Sequence, residues 1–227
     1  MKARCVLNYR GIPFETKFVT YTELPRALER LGVKPLPTVP GYIVPTVTHD
    51  GNTVMGSYDI VQYLEDAFPH NPSMFTSPHA LADADSLRKL EQAMFDSFSI
   101  NPVTFIKEII HDEDIGYYIT KNMDRYNLNI IQVASDPITI ENNWVAVKNY
   151  VNDFKGFTTE RFSQEQLNRL KHGKYLFGDN LGFADFIYFG FLSWIIKAYA
   201  QDKSRTCEFL ADPWLKDWYV RLTIYSV

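Results

Sequence analysis

Ile43-Val44-Pro45-Thr46-Val47-Thr48-His49-Asp50-Gly51-Asn52-Thr53-Val54-Met55-Gly56-Ser57 contains, in order, a β-branched run opened by a proline, a turn signal, a second β-branched run and a serine. Ile43 to Val47 and Thr53 to Met55 flank His49-Asp50-Gly51-Asn52, and Asp-Gly between two such runs is the signature of a tight hairpin. After Ser57, the residues Ile60, Val61, Tyr63 and Leu64 form one apolar stripe that Pro69 closes. That spacing predicts an amphipathic helix with Ser57 as its N-cap.

Upstream, Ala3, Val6, Leu7 and Tyr9 recur at helical spacing and stop at Gly11, which predicts a helix beginning almost at Met1. Phe14 to Val19 alternates apolar with polar residues and reads as a short half-buried strand. Thr22-Glu23-Leu24-Pro25 opens a second helix that Gly32 ends. The first part of the chain is therefore expected to run α-β-α-β-β-α. Phe68 to His79 holds three prolines together with Asn71, Ser73 and Ser77, a composition suited to a linker.

Beyond Ala80 the stripes are helical: Leu87, Leu90 and Met94, then Trp144, Val147 and Val151. Asn101-Pro102 interrupts this region once, and Ser135-Asp136-Pro137 interrupts it again with a helix start just after.

Composition narrows the function classes. The 227 residues are 46% hydrophobic, and 23 Lys and Arg stand against 27 Asp and Glu, for a formal charge of -4 without a basic block. Nucleic acid is thereby an unexpected partner. No apolar run reaches the ~18 residues that span a bilayer, so no membrane partner is expected. The N-terminal Met1-Lys2-Ala3-Arg4 has neither the apolar stretch nor the cleavage site of a secretory signal. Cys5 and Cys207 form no C-x-x-C or Cys/His cluster, which argues for neither a disulfide framework nor zinc and points to a reducing cytoplasm. His49, His70, His79, His111 and His172 show no metal-ligand spacing.

A small α/β unit that ends β-β-α, with Pro45 opening the hairpin and Ser57 at the next helix, resembles the thioredoxin-like domain of the glutathione S-transferases. Gly178-Asp179-Asn180-Leu181-Gly182-Phe183-Ala184-Asp185-Phe186 resembles the start of the long central helix in that family's second domain. Met1 to Gly11 is similar to the first helix of fungal members related to the lignin β-etherase-like branch. The resemblance implies a thioredoxin-like N-terminal α/β domain lacking its first strand, over residues 1–68, a linker over 69–79 and an all-α helical C-terminal domain over 80–227.

It also implies glutathione as cofactor, held by Val44, Pro45 and Ser57. A cis Val44-Pro45 bond, as the family has, turns the Val44 N–H and C=O toward an extended peptide. The helix start at Ser57 suits the γ-glutamyl carboxylate. Taken by themselves, the proline also reads as an edge-strand device and the serine as a cap. The family places an acidic residue or glutamine where this chain has Gly56, and Ser or Thr where it has Gly182. Asp185 is expected to support the helix start and to be structural.

The family's first strand, and the loop carrying its thiolate-stabilising Ser, Tyr or Cys, would precede Met1. No catalytic residue is therefore assigned, and Cys5, inside the first helix, reads as a packed hydrophobe. Phe14 to Val19 is then expected to lie beside Ile43 to Val47, to pair across a dimer interface, or to remain an irregular edge.

The implied activity is addition of the glutathione sulfur to an activated olefin or other electrophile of a small apolar metabolite. Conjugation, cis/trans isomerisation and ether cleavage are the outcomes in the family's repertoire. The implied state is a cytoplasmic homodimer. The implied electrophile cavity lies between the domains, with Phe95, Phe98, Phe105, Tyr117 and Tyr118 as wall candidates. The rival class is a non-catalytic regulatory or interaction module of the same fold.

Overall fold

The computed structural model describes residues 1–37, 41–98, 110–126, 135–153, 162–200 and 202–227. The chain divides into two compact units, one formed by Met1–Met74 with Tyr225–Val227 and the other by Phe75–Ile224.

The first unit begins with α1 (Lys2–Tyr9) and α2 (Leu24–Arg30), followed by β1 (Thr46–His49), β2 (Asn52–Met55) and α3 (Ser57–Ala67). Both α1 and α2 stop on a left-handed glycine. Gly11 (φ +66°) and Gly32 (φ +74°) each let the next two N–H groups turn back onto the last carbonyls of the helix. Gly11 N–H donates to Asn8 and Ile12 N–H to Leu7, while Gly32 N–H donates to Glu29 and Val33 N–H to Leu28.

Asp50 (φ +48°) and Gly51 (φ +77°) form the two-residue turn of the hairpin. It sets Thr46 opposite Met55, Val47 opposite Val54, Thr48 opposite Thr53 and His49 opposite Asn52. Two positive φ values in succession match the right-handed twist of the strands, which is why Asp-Gly is read correctly from sequence.

The apolar stripes of α1 and α3 face each other: Cys5, Val6, Ile60 and Val61 are fully buried. Arg10 is buried with them. Its Nη1 donates to Glu65 Oε1 at 2.9 Å and its Nη2 to the Phe68 carbonyl at 2.6 Å. Glu65 also accepts from the Met74 N–H at 2.9 Å and from Ser73 Oγ at 2.6 Å, and Asn71 Nδ2 donates to the Arg10 carbonyl. One carboxylate thus ties the end of α1 to the segment that follows α3. The tail returns to the same unit, where Asn8 Nδ2 donates to the carbonyls of Tyr225 and Val227.

Two expectations are corrected. Phe14 to Val19 is not a strand: residues 12–20 form no helix, turn or bridge, and the two-stranded β1-β2 hairpin is the sheet found among the described residues. Alternation makes a residue run compatible with a strand, but a ladder needs a neighbour, and none of the described residues supplies one. The first unit therefore runs α-α-β-β-α. Ser57 is not the N-cap of α3 either. Gly56 holds that position and Ser57 is the first helical residue.

The second unit contains α4 (Ala80–Phe98), α5 (Asp112–Tyr126), α6 (Pro137–Asp153), α7 (Gln164–Arg169), α8 (Phe183–Ala198), α9 (Lys203–Phe209) and α10 (Pro213–Thr223). It is helical throughout its described elements, as expected. Asp136 caps α6, accepting from the Thr139 N–H at 3.1 Å, so the Ser135-Asp136-Pro137 break and restart are present. The other expected break, Asn101-Pro102, lies outside the described residues, as do the side chains of Met94 and Val151.

α8 is the core of this unit. Phe183, Phe186, Ile187, Tyr188, Phe189, Phe191, Leu192 and Ile195 are all buried, and α4 packs on it through a stripe that includes Ala84, Leu87 and Leu90. Being apolar around most of its circumference suits a helix enclosed by others. No described helix is long and apolar enough to cross a membrane.

Asp185, 2% exposed, sits at the first turn of α8. Its Oδ2 accepts from the Gly182 N–H at 3.0 Å, and its Oδ1 accepts from the Leu176 N–H and from Trp218 Nε1, both at 2.8 Å. The N-cap position is Gly182, so the carboxylate alone does the side-chain half of the capping. A second buried acid, Asp83 on α4, takes both guanidinium nitrogens of Arg169 at 2.8 and 2.9 Å. Gln166 Nε2 adds a bond to the same carboxylate at 3.0 Å, fastening α7 to α4.

Candidate functional site

The hairpin and the start of α3 form one rigid corner. The Val44-Pro45 bond is cis, and the Pro45 carbonyl accepts from the Gly56 N–H at 2.9 Å, so the residues next to Val44 and Ser57 are joined directly across the hairpin base. Ile43 lies against Gly56 from the other side. Val44 is 59% exposed, and among the described residues neither its N–H nor its C=O has a hydrogen-bond partner. Ser57 likewise has no partner among them for its N–H or its hydroxyl. An unpaired peptide unit and a helix start thus lie at the same corner, and both are groups that recognise an extended, charged peptide.

Gly56 has φ +97° and ψ 134°, a backbone conformation that L side chains rarely adopt. A Cβ there meets only ordinary contact, 3.4 Å from Ile43 Cδ1, so the constraint lies in the backbone. Gly56→Ala is expected to cost about 1–2 kcal/mol of stability, seen as a lower urea midpoint with unchanged slope. A variant as stable as wild type overturns this reading.

Sequence reasoning missed Asp59. Its Oδ2 lies 3.9 Å from the place a Cβ on residue 56 would occupy, so a carboxylate one turn later stands beside the position where Gly56 supplies no side chain. The available signal was an acidic residue in the first turn of an N-terminus, which by itself reads as a partner of the helix dipole.

Cys5 falls away as a nucleophile candidate. Cys5 is fully buried in α1, and burial pushes its thiol up to about 11, which suits a packed hydrophobe and not a nucleophile. Tyr117 is 37% exposed beneath the Lys121 ammonium, and Tyr118 packs against Ile110. The side chains of Phe95 and Phe98, and all of Phe105, lie outside the described residues. No metal-binding cluster of His, Cys, Asp and Glu occurs among the described residues. In the second unit, a cavity of about 160 Å³ is bordered by Ser77, His79, Asp83, Arg169 and Asp179. Its Arg169 already pairs with Asp83, and its His79 with Glu165 outside the cavity.

Residues 1–72 match the family model described as "Glutathione S-transferase, N-terminal domain", so the first unit resembles a domain of that class. Over 205 residues the chain is 26% identical to the Glutathione S-transferase-like protein ustS of Aspergillus flavus, covering 86% of this chain and 72% of that protein. Its fold matches a glutathione S-transferase of Ceriporiopsis subvermispora, solved in complex with glutathione, with a TM-score of 0.74 at 16% identity over 100% of this chain and 89% of the other. It also matches the β-etherase LigF of Sphingobium sp. strain SYK-6, with a TM-score of 0.51 at 19% identity over 97% and 93% of the two chains. The chain therefore has the glutathione transferase fold, a thioredoxin-like N-terminal domain followed by a helical one, and its resemblance to that superfamily holds well beyond the first domain.

Proposed function

We propose that this protein is a glutathione-dependent enzyme acting on a small apolar electrophile, as a cytoplasmic homodimer. The observation that carries the reading is the corner formed by Val44, Pro45 and Ser57. Two backbone groups of Val44 and two donors of Ser57 are unpaired among the described residues, and the Gly56–Pro45 bond holds them in one place.

In this reading the Val44 N–H and C=O pair with the cysteinyl unit of glutathione as a strand would, leaving the sulfur free. The Ser57 hydroxyl and the first N–H groups of α3 receive the γ-glutamyl carboxylate, where the positive end of the helix dipole favours an anion. The Asp59 carboxylate takes the γ-glutamyl ammonium, the charge for which Gly56 offers no side chain. Bound glutathione supplies a sulfur nucleophile that adds to an activated olefin, after which protonation of the neighbouring carbon yields a conjugate, or bond rotation and loss of the thiolate yield the isomer. The match to a glutathione S-transferase-like relative and to a fold neighbour solved with glutathione supports this assignment.

Titration calorimetry with glutathione tests it. Ser57→Ala removes one hydrogen bond to a charged group, and the Kd is expected to rise about tenfold to a hundredfold. Val44→Pro, which deletes the N–H, is expected to weaken binding as well. Absence of wild-type binding at millimolar glutathione sinks the proposal. Product mass then separates the outcomes, since a conjugate carries the added mass of glutathione and an isomer does not.

A further inference from the structure

Ser77-Pro78 is the single Ser-Pro or Thr-Pro dipeptide in the 227 residues. It lies in residues 68–79, which form no helix or strand, and Thr76 and Pro78 on either side of the serine are exposed. Ser77 Oγ accepts from the His79 N–H at 3.3 Å, so the side chain is turned toward the start of α4, and the hydroxyl hydrogen is unspent among the described residues. A serine in an accessible irregular segment, followed by a residue that has no N–H to satisfy, is the kind of acceptor that a proline-directed protein kinase reads.

The surroundings of Ser77 fit a phosphoryl group. The serine borders the cavity of about 160 Å³ together with His79 and Arg169, a space with room for several waters. Arg169 gives one hydrogen of Nη2 to Asp83 Oδ1, and the other hydrogen has no partner among the described residues. At the start of the 19-residue α4, the Leu81 and Ala82 N–H groups are likewise unpaired among them, at the positive end of a helix dipole. The carboxylates that face the cavity are already engaged: Asp83 by Arg169 and Gln166, Asp179 by the Lys174 N–H, and Asp185 by the Leu176 and Gly182 N–H groups and Trp218 Nε1. A phosphate on Ser77 thus meets hydrogen-bond donors left over after those acids are satisfied.

We infer that Ser77 is a phosphorylation site whose phosphate is held between Arg169 and the first turn of α4. The hydroxyl oxygen attacks the γ-phosphorus of a nucleoside triphosphate carried by the kinase. The Ser77 Oγ–P bond forms, the bond to the diphosphate leaving group breaks, and the hydroxyl proton passes to the kinase's general base. At neutral pH the phosphate carries about −1.5 to −2 charges on acceptor oxygens, which tie the segment before α4 to that helix. Ser77, the cavity and α4 all belong to the second unit, so the outcome does not depend on glutathione binding.

A proline-directed kinase of the mitogen-activated type, with magnesium ATP, is applied to the folded full chain. Mass spectrometry is expected to find one phosphate, on Ser77, in most of the protein and none in Ser77→Ala. Pro78→Ala is expected to lose most of the labelling. A synthetic peptide of residues 70–84 is the reference. A peptide that is labelled while the folded chain is not, labelling of neither, or labelling that survives in Ser77→Ala each overturns the inference. The phosphorylated chain is expected to melt about 2–4 °C higher than the untreated one, and the gain is expected to vanish on phosphatase treatment and to shrink at about 1 M salt. A melting temperature that stays the same or falls overturns the inferred contacts with Arg169 and α4.

Discussion

Asp185→Ala is expected to lower the stability of the second unit by about 3–5 kcal/mol at about pH 5, measured by urea unfolding. The carboxylate is the acceptor for three separate donors, the Gly182 and Leu176 N–H groups and Trp218 Nε1, and it is buried. Alanine leaves three N–H groups without this acceptor, two of them in buried bonds, and each buried one costs about 1–3 kcal/mol, with incomplete additivity because they share one site. It also opens a void beside Trp218, against which Tyr188 packs at 5.4 Å between ring centres.

The effect has a defined pH dependence. Burial pushes the Asp185 carboxyl from 3.8 up to about 6, against the opposing pull of its three donors. A folded-state value above the unfolded one means that the folded chain holds the proton more tightly. The stability this contributes is therefore complete below about pH 4 and lost as pH rises through about 6. The alanine variant has no such group, so the gap between it and wild type is expected to narrow over that interval. A gap that widens with pH overturns the assignment of sign. Asp185→Asn is the control: its oxygen still accepts from Leu176 and Trp218, its amide opposes the Gly182 N–H, and it does not titrate.

Glu65→Leu is expected to be about as damaging in the first unit, costing about 3–5 kcal/mol. The Arg10 side chain has no exposure whereas that of Glu65 keeps 18%, so the two partners are not equivalent. Loss of Glu65 strands a fully buried guanidinium with the Phe68 carbonyl as its remaining acceptor and leaves the Met74 N–H and Ser73 hydroxyl without their carboxylate. Loss of Arg10 leaves a partly hydrated carboxylate that still has those two donors. Arg10→Met is therefore expected to cost less than Glu65→Leu. The double variant is expected to recover part of the loss, because it removes both charges and refills the space with apolar atoms. Denaturant midpoints for the four proteins close the cycle; equal single costs, or strict additivity, count against the buried-charge account.

Local chemistry made several elements legible. Gly11 and Gly32 end α1 and α2 because a left-handed residue there returns two N–H groups to the helix, a consequence of the residue type alone. Asp50-Gly51 makes the hairpin, and Asp136-Pro137 restarts a helix, for the same kind of reason. Val44-Pro45 and Ser57 were readable as one corner because the hairpin between them has a length set by its turn.

What escaped the sequence depends on partners distant along the chain. Phe14 to Val19 carries the alternation of a strand, yet pairing is a property of two segments, and no described segment forms a ladder with it. Gly56, not Ser57, caps α3, with its N–H donating to the Pro45 carbonyl across the hairpin base and its backbone at φ +97°, ψ 134°. Asp59 gained interest only through its distance to an atom that glycine lacks.

Arg10 and Glu65 are 55 positions apart, and Asp185 and Trp218 are 33 apart, so neither pair leaves a periodic trace. Hydrophobic stripes, turn residues and caps were written locally, since each depends on the conformational preferences of one residue or its near neighbours. Buried charges, orphaned edges and the arrangement of the candidate site were decided in three dimensions, since their energies depend on which groups are excluded from water and which partner meets them there.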